Sequence, residues 1–251
     1  MAGHSKWANI KHRKSAVDAK RGKIFNRLVK ELMVAAKLGG SDPDANARLR
    51  IAMTKSRAAN MPRDTMERAV KKGAGELEGQ NFEEVRYEIY APGGVGIIVE
   101  ALTDKKARTT PEIKNIIKKH NGSLADEGAV SRLFQMRGNI VVEKAAIGED
   151  ELMELVLEAG AEDMVTEEEF YEVFTEPEAF AGVSEALEKK EIPTQVAEIR
   201  LIPLEGTEVT VDDEEKAGKL MKFIDIFEDN DDVQSVVHNM NIPDEIMEKL
   251  A

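Results

Sequence analysis

The segment from Gly73 to Gln80 constrains the fold most, because the chain changes character on either side of it. Residues 1–75 contain 18 Lys or Arg and 6 Asp or Glu, whereas residues 76–251 contain 17 and 42. Apolar residues recur at helical spacing before this segment and at strand spacing after it. A glycine-rich segment at such a change predicts a linker. We therefore expect a basic helical part followed by acidic α/β parts.

The basic part is expected to form three helices. Apolar residues from Gly22 to Lys37 recur at helical spacing, and Gly39-Gly40 follows as a stop signal. The next helix is expected to start at Ser41-Asp42-Pro43, with Ser41 as its N-cap and Pro43 at its first helical position. A third helix is expected from Pro62 to Gly73. Short helices joined by tight turns predict a small bundle.

The first thirty residues are the most basic segment of the chain. They contain nine Lys or Arg and a single acid, Asp18. A solvated helix face is the commonest meaning of such a run, but here the positive charge extends over three helices and then reverses sign. Positive charge in this pattern favours a nucleic-acid backbone as the partner. The residues expected to bind it are Lys6, Trp7, Lys11, Arg13, Lys14, Lys20, Arg21, Lys23 and Arg27.

Within this segment, residues 3–21 are expected to form an arm, and residues from Gly22 onward the rigid helical base. Trp7 is the only tryptophan of the chain and lies between Lys6 and Lys11. Such a ring stacks on a base while the cations hold phosphates. A buried Trp7 that anchors the arm to the bundle is an equally good interpretation.

After the linker, the pattern predicts alternating strands and helices. Val85–Tyr90 and Gly96–Ala101 are expected to form a hairpin through Pro92-Gly93-Gly94. A helix at Arg108–His120 and a strand at Val130–Met136 follow. Beyond Arg137-Gly138-Asn139, the expected order is βαββαβ, the ferredoxin-like pattern. Its elements are Ile140–Val142, Glu149–Ala159, Asp163–Thr166, Phe170–Phe174, Ala179–Lys190 and Gln195–Ile202.

A last helix, Glu214–Phe227, and a last strand, Val233–His238, supply elements that the first α/β unit lacks. The expected fold class is therefore α+β and multidomain: an N-terminal helical bundle followed by two ferredoxin-like α/β units, the second inserted in the first. The expected domains are residues 1–80, residues 81–137 with 204–251, and residues 138–203. A similar helix-to-strand passage in Val183–Ile202 and Ala217–Val237 supports the insertion.

The sequence predicts no catalytic residue, metal centre or cofactor. Gly93-Gly94-Val95-Gly96 lies between strands, whereas a phosphate-binding loop opens a helix. The 4 histidines fall in separate segments and Cys is absent, which disfavours metal sites. Glu167-Glu168-Glu169 is typical of a solvated turn, and Asp229–Asp232 lacks the glycine of a calcium loop. We therefore expect a protein that is not an enzyme.

Aromatic residues of a ferredoxin-like sheet often stack on RNA bases, and Phe170, Tyr171 and Phe174 lie on an expected strand. Their acidic neighbours, Glu167–Glu169 and Glu172, would repel phosphate. These aromatic residues are therefore expected to pack in a core.

Several segments of the chain resemble the YebC/PmpR family. They are Gly3-His4-Ser5-Lys6-Trp7, Asp18-Ala19-Lys20-Arg21-Gly22-Lys23, Asn60-Met61-Pro62, Lys71-Lys72-Gly73 and Tyr90-Ala91-Pro92-Gly93-Gly94-Val95-Gly96. The resemblance covers essentially the full chain. It implies a cytosolic, non-enzymatic protein with one all-helical domain and two α/β domains.

The resemblance also implies a nucleic-acid partner, either DNA or ribosomal RNA. Members of the family are described as DNA-binding transcriptional regulators, whereas the mitochondrial relative is regarded as a translational activator and bacterial relatives are placed on the ribosome. A reader of DNA sequence needs a recognition helix, for which Arg48–Arg63 is the candidate. A lysine-rich arm with one aromatic ring suits irregular RNA.

The expected function is thus a cytoplasmic, non-enzymatic, nucleic-acid-binding regulator of gene expression that resembles the DNA-binding transcriptional regulators of the YebC/PmpR family. The alternative is a ribosome-associated, rRNA-binding translation factor. No apolar run has the length of roughly 20 residues that a membrane span needs, so a membrane partner is not expected. Two further alternatives are a metal-dependent nuclease that uses C-terminal acids and a scaffold whose acidic domains bind protein.

Overall fold

The structure is a computed structural model, and it describes residues 18–250. Its helices are α1 (Asp18–Gly39), α2 (Ala47–Ala58), α3 (Arg63–Gly73), α4 (Lys106–Lys119), α5 (Glu149–Glu158), α6 (Phe180–Lys189), α7 (Glu214–Asp229) and α8 (Asp244–Leu250). Its strands are β1 (Glu83–Ala91), β2 (Val95–Thr103), β3 (Ser123–Leu124), β4 (Phe134–Glu143), β5 (Asp163–Thr166), β6 (Phe170–Thr175), β7 (Thr194–Pro203), β8 (Val209–Thr210), β9 (Val233–His238) and β10 (Met240–Asn241).

Helices α1, α2 and α3 form the expected bundle, called the helical part below. Leu32 of α1, Leu49 of α2 and Met66 of α3 are buried in one core. The expected start of α2 at Ser41 is wrong, because Asn46 caps this helix by accepting from Leu49 N at 3.0 Å. The Asn46 amide also donates to the Ala35 and Gly40 carbonyls at 2.8 Å. This buried side chain therefore holds the end of α1 and the start of α2 together.

Gly73, expected as a stop signal, is also the point where α3 touches α1. A Cβ atom on Gly73 would lie 2.1 Å from the Met33 carbonyl oxygen. Only a residue without a side chain allows this approach between the two helix backbones.

The first sheet has the strand order β3-β1-β2-β9, and all its neighbouring strands are antiparallel. The expected hairpin is confirmed, since Ala91 pairs with Val95 across a turn in which Gly93 and Gly94 have φ of 91° and 83°. Helices α4 and α7 cover one face of the sheet, where Ile113, Phe223 and Phe227 are buried with the strand residues Ile89 and Ile97.

The second sheet has the order β5-β6-β4-β7 and the chain order βαββαβ. Its core contains Ile140, Val142, Tyr171, Leu152 and Leu187. The burial of Tyr171 and Phe174 confirms the core role expected for these two aromatic residues.

The expected break at Arg137-Gly138-Asn139 is wrong, because β4 runs unbroken from Phe134 to Glu143. Gly138 pairs with Thr175 of β6 and with Ile199 of β7. A Cβ atom there would lie 2.2 Å from Thr175 Oγ1 and 2.7 Å from the Phe180 ring. Gly138 therefore serves close packing inside a strand, and it does not mark a turn.

After β7 the chain returns to the first sheet, where β9 pairs with β2. The expected class is confirmed: N-terminal helices precede two antiparallel sheets with helices. The two sheets differ in strand order. Numbered by their own sequence order, the strands of the first sheet lie in the order 3-1-2-4 and those of the second in the order 2-3-1-4. In the first sheet β1 and β2 are joined directly, so the βαββαβ connection is found in the second sheet. Our division into residues 1–80, 81–137 with 204–251, and 138–203 remains a proposal.

Candidate nucleic-acid interface

The nine residues expected to bind nucleic acid divide into three groups. Five of them, Lys6, Trp7, Lys11, Arg13 and Lys14, lie outside the described residues. Lys20 and Arg21 belong to the first turn of α1, where the backbone alone is described. Lys23 and Arg27 have described side chains. The role of all nine stays a prediction.

Lys23, Arg27 and Lys30 lie on one face of α1, at spacings of four and three residues. This face contacts the end of α7 and the turn after it, residues 228–232. Lys23 Nζ lies 2.9 Å from Asp229 Oδ1 and 3.1 Å from its carbonyl oxygen. The Arg27 guanidinium donates to the Glu228 carbonyl. Positive charge is favoured at this position, because the carboxyl end of a helix carries partial negative charge.

Asp232 is the centre of this contact, which we call the α1–α7 joint (Lys23, Arg27 and Lys30 with residues 228–232). Its side chain is 8% exposed and accepts from Lys30 Nζ at 2.8 Å, from Arg108 Nη2 at 2.9 Å and from Thr109 Oγ1 at 2.6 Å. Burial alone would raise the pKa of Asp232, but the donors Lys30, Thr109 and Arg108 lower it well below the ordinary range. Asp232 is therefore a carboxylate at neutral pH.

Other basic side chains of the helical part also bind acidic groups. Arg48 pairs with Glu31 at 2.7 Å and with Glu84 of β1 at 2.6 Å, and the hydrogen bond to Glu31 is the main cause that raises the pKa of Arg48. Lys55 of α2 pairs with Glu198 of β7 at 2.6 Å. Internal ion pairs thus use much of the positive charge that the sequence places in this part.

The proposed recognition segment, Arg48–Arg63, is not one helix. It comprises α2, a turn in which Asn60 has φ of 58°, and the first residue of α3. Arg48 is held by its two carboxylates, and Arg50 donates to the carbonyls of Pro43 and Asp44 at 3.0 and 3.3 Å. In the helical part, the exposed cations without an ion pair to the described residues include Arg57 in α2 and Arg68, Lys71 and Lys72 in α3.

Sequence reasoning missed a second group of exposed cations, on α4. Between residues 105 and 120 the chain has six Lys or Arg and a single acid, Glu112. This density, inside a part of the chain that is otherwise strongly acidic, was the available signal. Sequence reasoning also missed the burial of Glu172, which is 1% exposed and accepts from Asn139 Nδ2 at 2.7 Å.

Within residues 18–250, His, Asp and Glu side chains do not come together in threes as they would around a metal ion. Within the same range, each helix is too short or too polar to cross a membrane.

Comparisons with known proteins match almost the whole chain. Residues 5–76 match the family described as "TACO1/YebC protein N-terminal domain", and residues 82–240 match "TACO1/YebC second and third domain". The chain belongs to the TACO1/YebC family. The YebC resemblance inferred from the N-terminal motifs is thereby confirmed.

Curated relatives in this family carry the name "Probable transcriptional regulatory protein". The relative from Persephonella marina is 52% identical over 252 residues and covers 100% of both chains. The relative from Aquifex aeolicus is 48% identical over 251 residues, again with 100% coverage of both.

A solved structure shares the fold. The crystal structure of a conserved hypothetical protein from Aquifex aeolicus superposes with a TM-score of 0.85 at 48% identity, and the match covers 96% of this chain and 99% of that one.

Proposed function

We propose that this TACO1/YebC protein is a non-enzymatic, cytosolic regulator of gene expression that binds the phosphate backbone of a nucleic acid. The observation that carries the proposal is the concentration of positive charge at the start of an otherwise acidic chain, since residues 1–75 contain 18 Lys or Arg against 6 Asp or Glu. Of the nine cations in the first thirty residues, six precede Gly22. The three that follow are bound to residues 228–232.

The contacts of the α1–α7 joint bear on which residues we propose as the binding residues. Lys23 and Arg27 would have to exchange Asp229 and the Glu228 carbonyl for phosphate, which costs the contacts they already make. The binding residues we propose are therefore the cations before Gly22, with Trp7 as a stacking surface: Lys6, Lys11, Arg13, Lys14, Lys20 and Arg21. The joint then holds the helical part in a fixed position on the first sheet.

The names of the relatives support a transcriptional role, in which the nucleic acid is DNA. The alternative is a translation factor that binds ribosomal RNA. A specific observation favours the alternative: Arg48–Arg63 is interrupted at Asn60 and its Arg48 is engaged by Glu31 and Glu84, so it does not form a continuous reading helix. Without base readout in the major groove, backbone contact and stacking dominate, as is usual for irregular RNA.

Charge reversal tests whether nucleic acid is bound. In the variant Lys6→Glu, Lys11→Glu, Lys14→Glu, Lys20→Glu, we expect retention on immobilised nucleic acid to be lost at ~150 mM salt. The matched control reverses four exposed lysines elsewhere: Lys189, Lys190, Lys219 and Lys249. Equal retention of both variants would overturn the proposal.

Crosslinking in cells decides which nucleic acid is bound. Sequencing of the attached molecules is expected to give promoter DNA if the protein regulates transcription, and ribosomal RNA if it acts in translation. Recovery of neither above the level of the charge-reversed variant would refute nucleic-acid binding in the cell.

A further inference from the structure

Helix α4 is strongly basic although it belongs to the acidic part of the chain. Lys105, Lys106, Arg108, Lys114, Lys118 and Lys119 are all exposed. The opposite face carries Thr109, Ile113 and Ile117, which are buried against the first sheet. The cations therefore concentrate on the solvent side of a helix whose other side is fixed.

Some of these cations differ from Lys23, Lys30, Arg48 and Lys55 of the helical part, each of which is paired with a carboxylate. Arg108 pairs with Asp104 and Asp232. Lys114, Lys118 and Lys119 form no ion pair within residues 18–250. Their charge is thus available to an outside partner.

Helix stability explains only part of this arrangement. Lys118 and Lys119 lie in the last turn, where the helix dipole favours cations by ~0.3–1 kcal/mol. The same dipole disfavours cations in the first turn, yet Lys105 is the N-cap, Lys106 and Arg108 follow, and this turn has no acid. Positive charge at both ends of one helix points to a function other than stability.

The helix is held rigidly enough to present this face. The His120 ring at its carboxyl end stacks on Phe223 of α7, with ring centroids 5.0 Å apart and planes at 12°. Tyr87 Oη lies 2.8 Å from Thr110 Oγ1, and Thr109 Oγ1 donates to Asp232. Lys114 and Lys118 are one helical turn apart, a rise of about 6 Å along a fixed axis.

Asp232 links this face to the helical part. It binds Lys30 of α1 through Oδ1 and Arg108 of α4 through Oδ2. One buried carboxylate therefore lets two basic helices approach that would otherwise repel each other. Lys30 of α1 and Arg108 of α4 therefore meet at this residue.

We propose that the exposed face of α4, with Lys114, Lys118 and Lys119 at its centre, is a second contact for the phosphate backbone of the bound nucleic acid. The nucleic acid would extend from the helical part past Asp232 onto α4. This inference rests on the proposed function and adds a binding surface to it.

The test is the salt dependence of binding, because each phosphate contact adds about 0.9 to the slope of log affinity against log salt on duplex DNA and about 0.7 on single strands. The variant Lys114→Gln, Lys118→Gln, Lys119→Gln is compared with the control Lys189→Gln, Lys190→Gln, Lys249→Gln. A DNA duplex and an RNA hairpin of equal length are titrated in parallel, which identifies the source of the phosphates. Thermal melting confirms that both variants fold.

We expect the α4 variant to lose about 2–3 from the magnitude of the slope and the control to lose less than about 0.5. A wild-type slope in the α4 variant, together with a reduced slope in the Lys6, Lys11, Lys14, Lys20 variant, would overturn this inference alone. A flat response of the unmodified protein would overturn the proposed function as well. If the α4 variant keeps the slope on nucleic acid but loses binding to polyglutamate, the inference is also overturned. The partner of α4 would then be an acidic protein.

Discussion

Removal of the Asp232 charge is the sharpest test of the α1–α7 joint. In Asp232→Asn, an NH2 group replaces one carboxylate oxygen and faces the donor groups of Lys30, Arg108 and Thr109. A hydrogen bond to a charged group contributes about 1.5–3 kcal/mol, and breaking a buried ion pair from one side costs about 3–5 kcal/mol. Arg108 is 45% exposed and regains water, while Lys30 keeps the Asp231 and Leu102 carbonyls at 2.9 and 3.3 Å. We therefore expect a loss near the lower limit, about 3 kcal/mol.

The assay is urea unfolding followed by far-ultraviolet circular dichroism. Asp229→Asn is the matched control, since it removes the same charge from the same turn. Its carboxylate is 77% exposed and pairs with Lys23 at 2.9 Å, so the expected loss is below about 1 kcal/mol. Protease cleavage between residues 74 and 80 should also become faster in Asp232→Asn, because the helical part is held less firmly.

A loss below about 0.5 kcal/mol in Asp232→Asn would refute this reasoning. Equal losses in the two variants would refute it too, because burial is the difference between Asp232 and Asp229.

Three further outcomes are expected. Glu88→Gln should lower the free energy of unfolding by about 2–4 kcal/mol in urea melts. The buried Glu88 carboxylate accepts four hydrogen bonds, one each from Gly128 and Val130 and two from Ser131. An unchanged urea midpoint would contradict this expectation. Although burial opposes it, hydrogen bonding lowers the pKa of both Glu88 and Asp232. Their stabilisation is therefore complete above the unfolded pKa of about 4 and is lost as the pH falls below it, so the melting temperature should drop there less steeply in Asp232→Asn than in wild type. Gly73→Ala should cost about 1–3 kcal/mol in thermal melts because its Cβ meets the Met33 carbonyl, whereas Gly22→Ala, with nothing within 4 Å, should be neutral or stabilising.

Element positions were predictable because they depend on local pattern. The α7 helix was expected at Glu214–Phe227 and is found at Glu214–Asp229, and the β9 strand was expected and found at Val233–His238. Apolar periodicity and flanking acids are both encoded within a few residues of each element. The element boundaries that were predicted wrongly depend on contacts with residues distant in the sequence.

Gly138 shows why such boundaries fail. A glycine next to Asn139 is typical of a turn, yet here the glycine makes room for Thr175 and Phe180. Ser41 likewise precedes a proline at a plausible cap position, but Asn46 has the further carbonyl partners that decide the helix start. In both cases the partners become known only with the tertiary structure.

The candidate site was predictable as a region and not as a set of contacts. The change in the sign of net charge along the chain marks residues 1–75 as basic. It does not tell whether Lys23 faces phosphate or its own Asp229, which is 206 residues away. The acidic turn at Asp229–Asp232 was correctly expected as a helix-to-strand connection, but its role as the partner of α1 and α4 follows from the fold.

The central claim is that the positive charge concentrated at the start of the chain binds a phosphate backbone, and salt titration of the unmodified protein tests it most directly. Contact by the six cations before Gly22 alone predicts a slope of log affinity against log salt of roughly −5 on duplex DNA, and added contact by α4 predicts roughly −8. A slope between these values supports the account. A slope shallower than about −1 would contradict it, because only about one phosphate or fewer would then be neutralised.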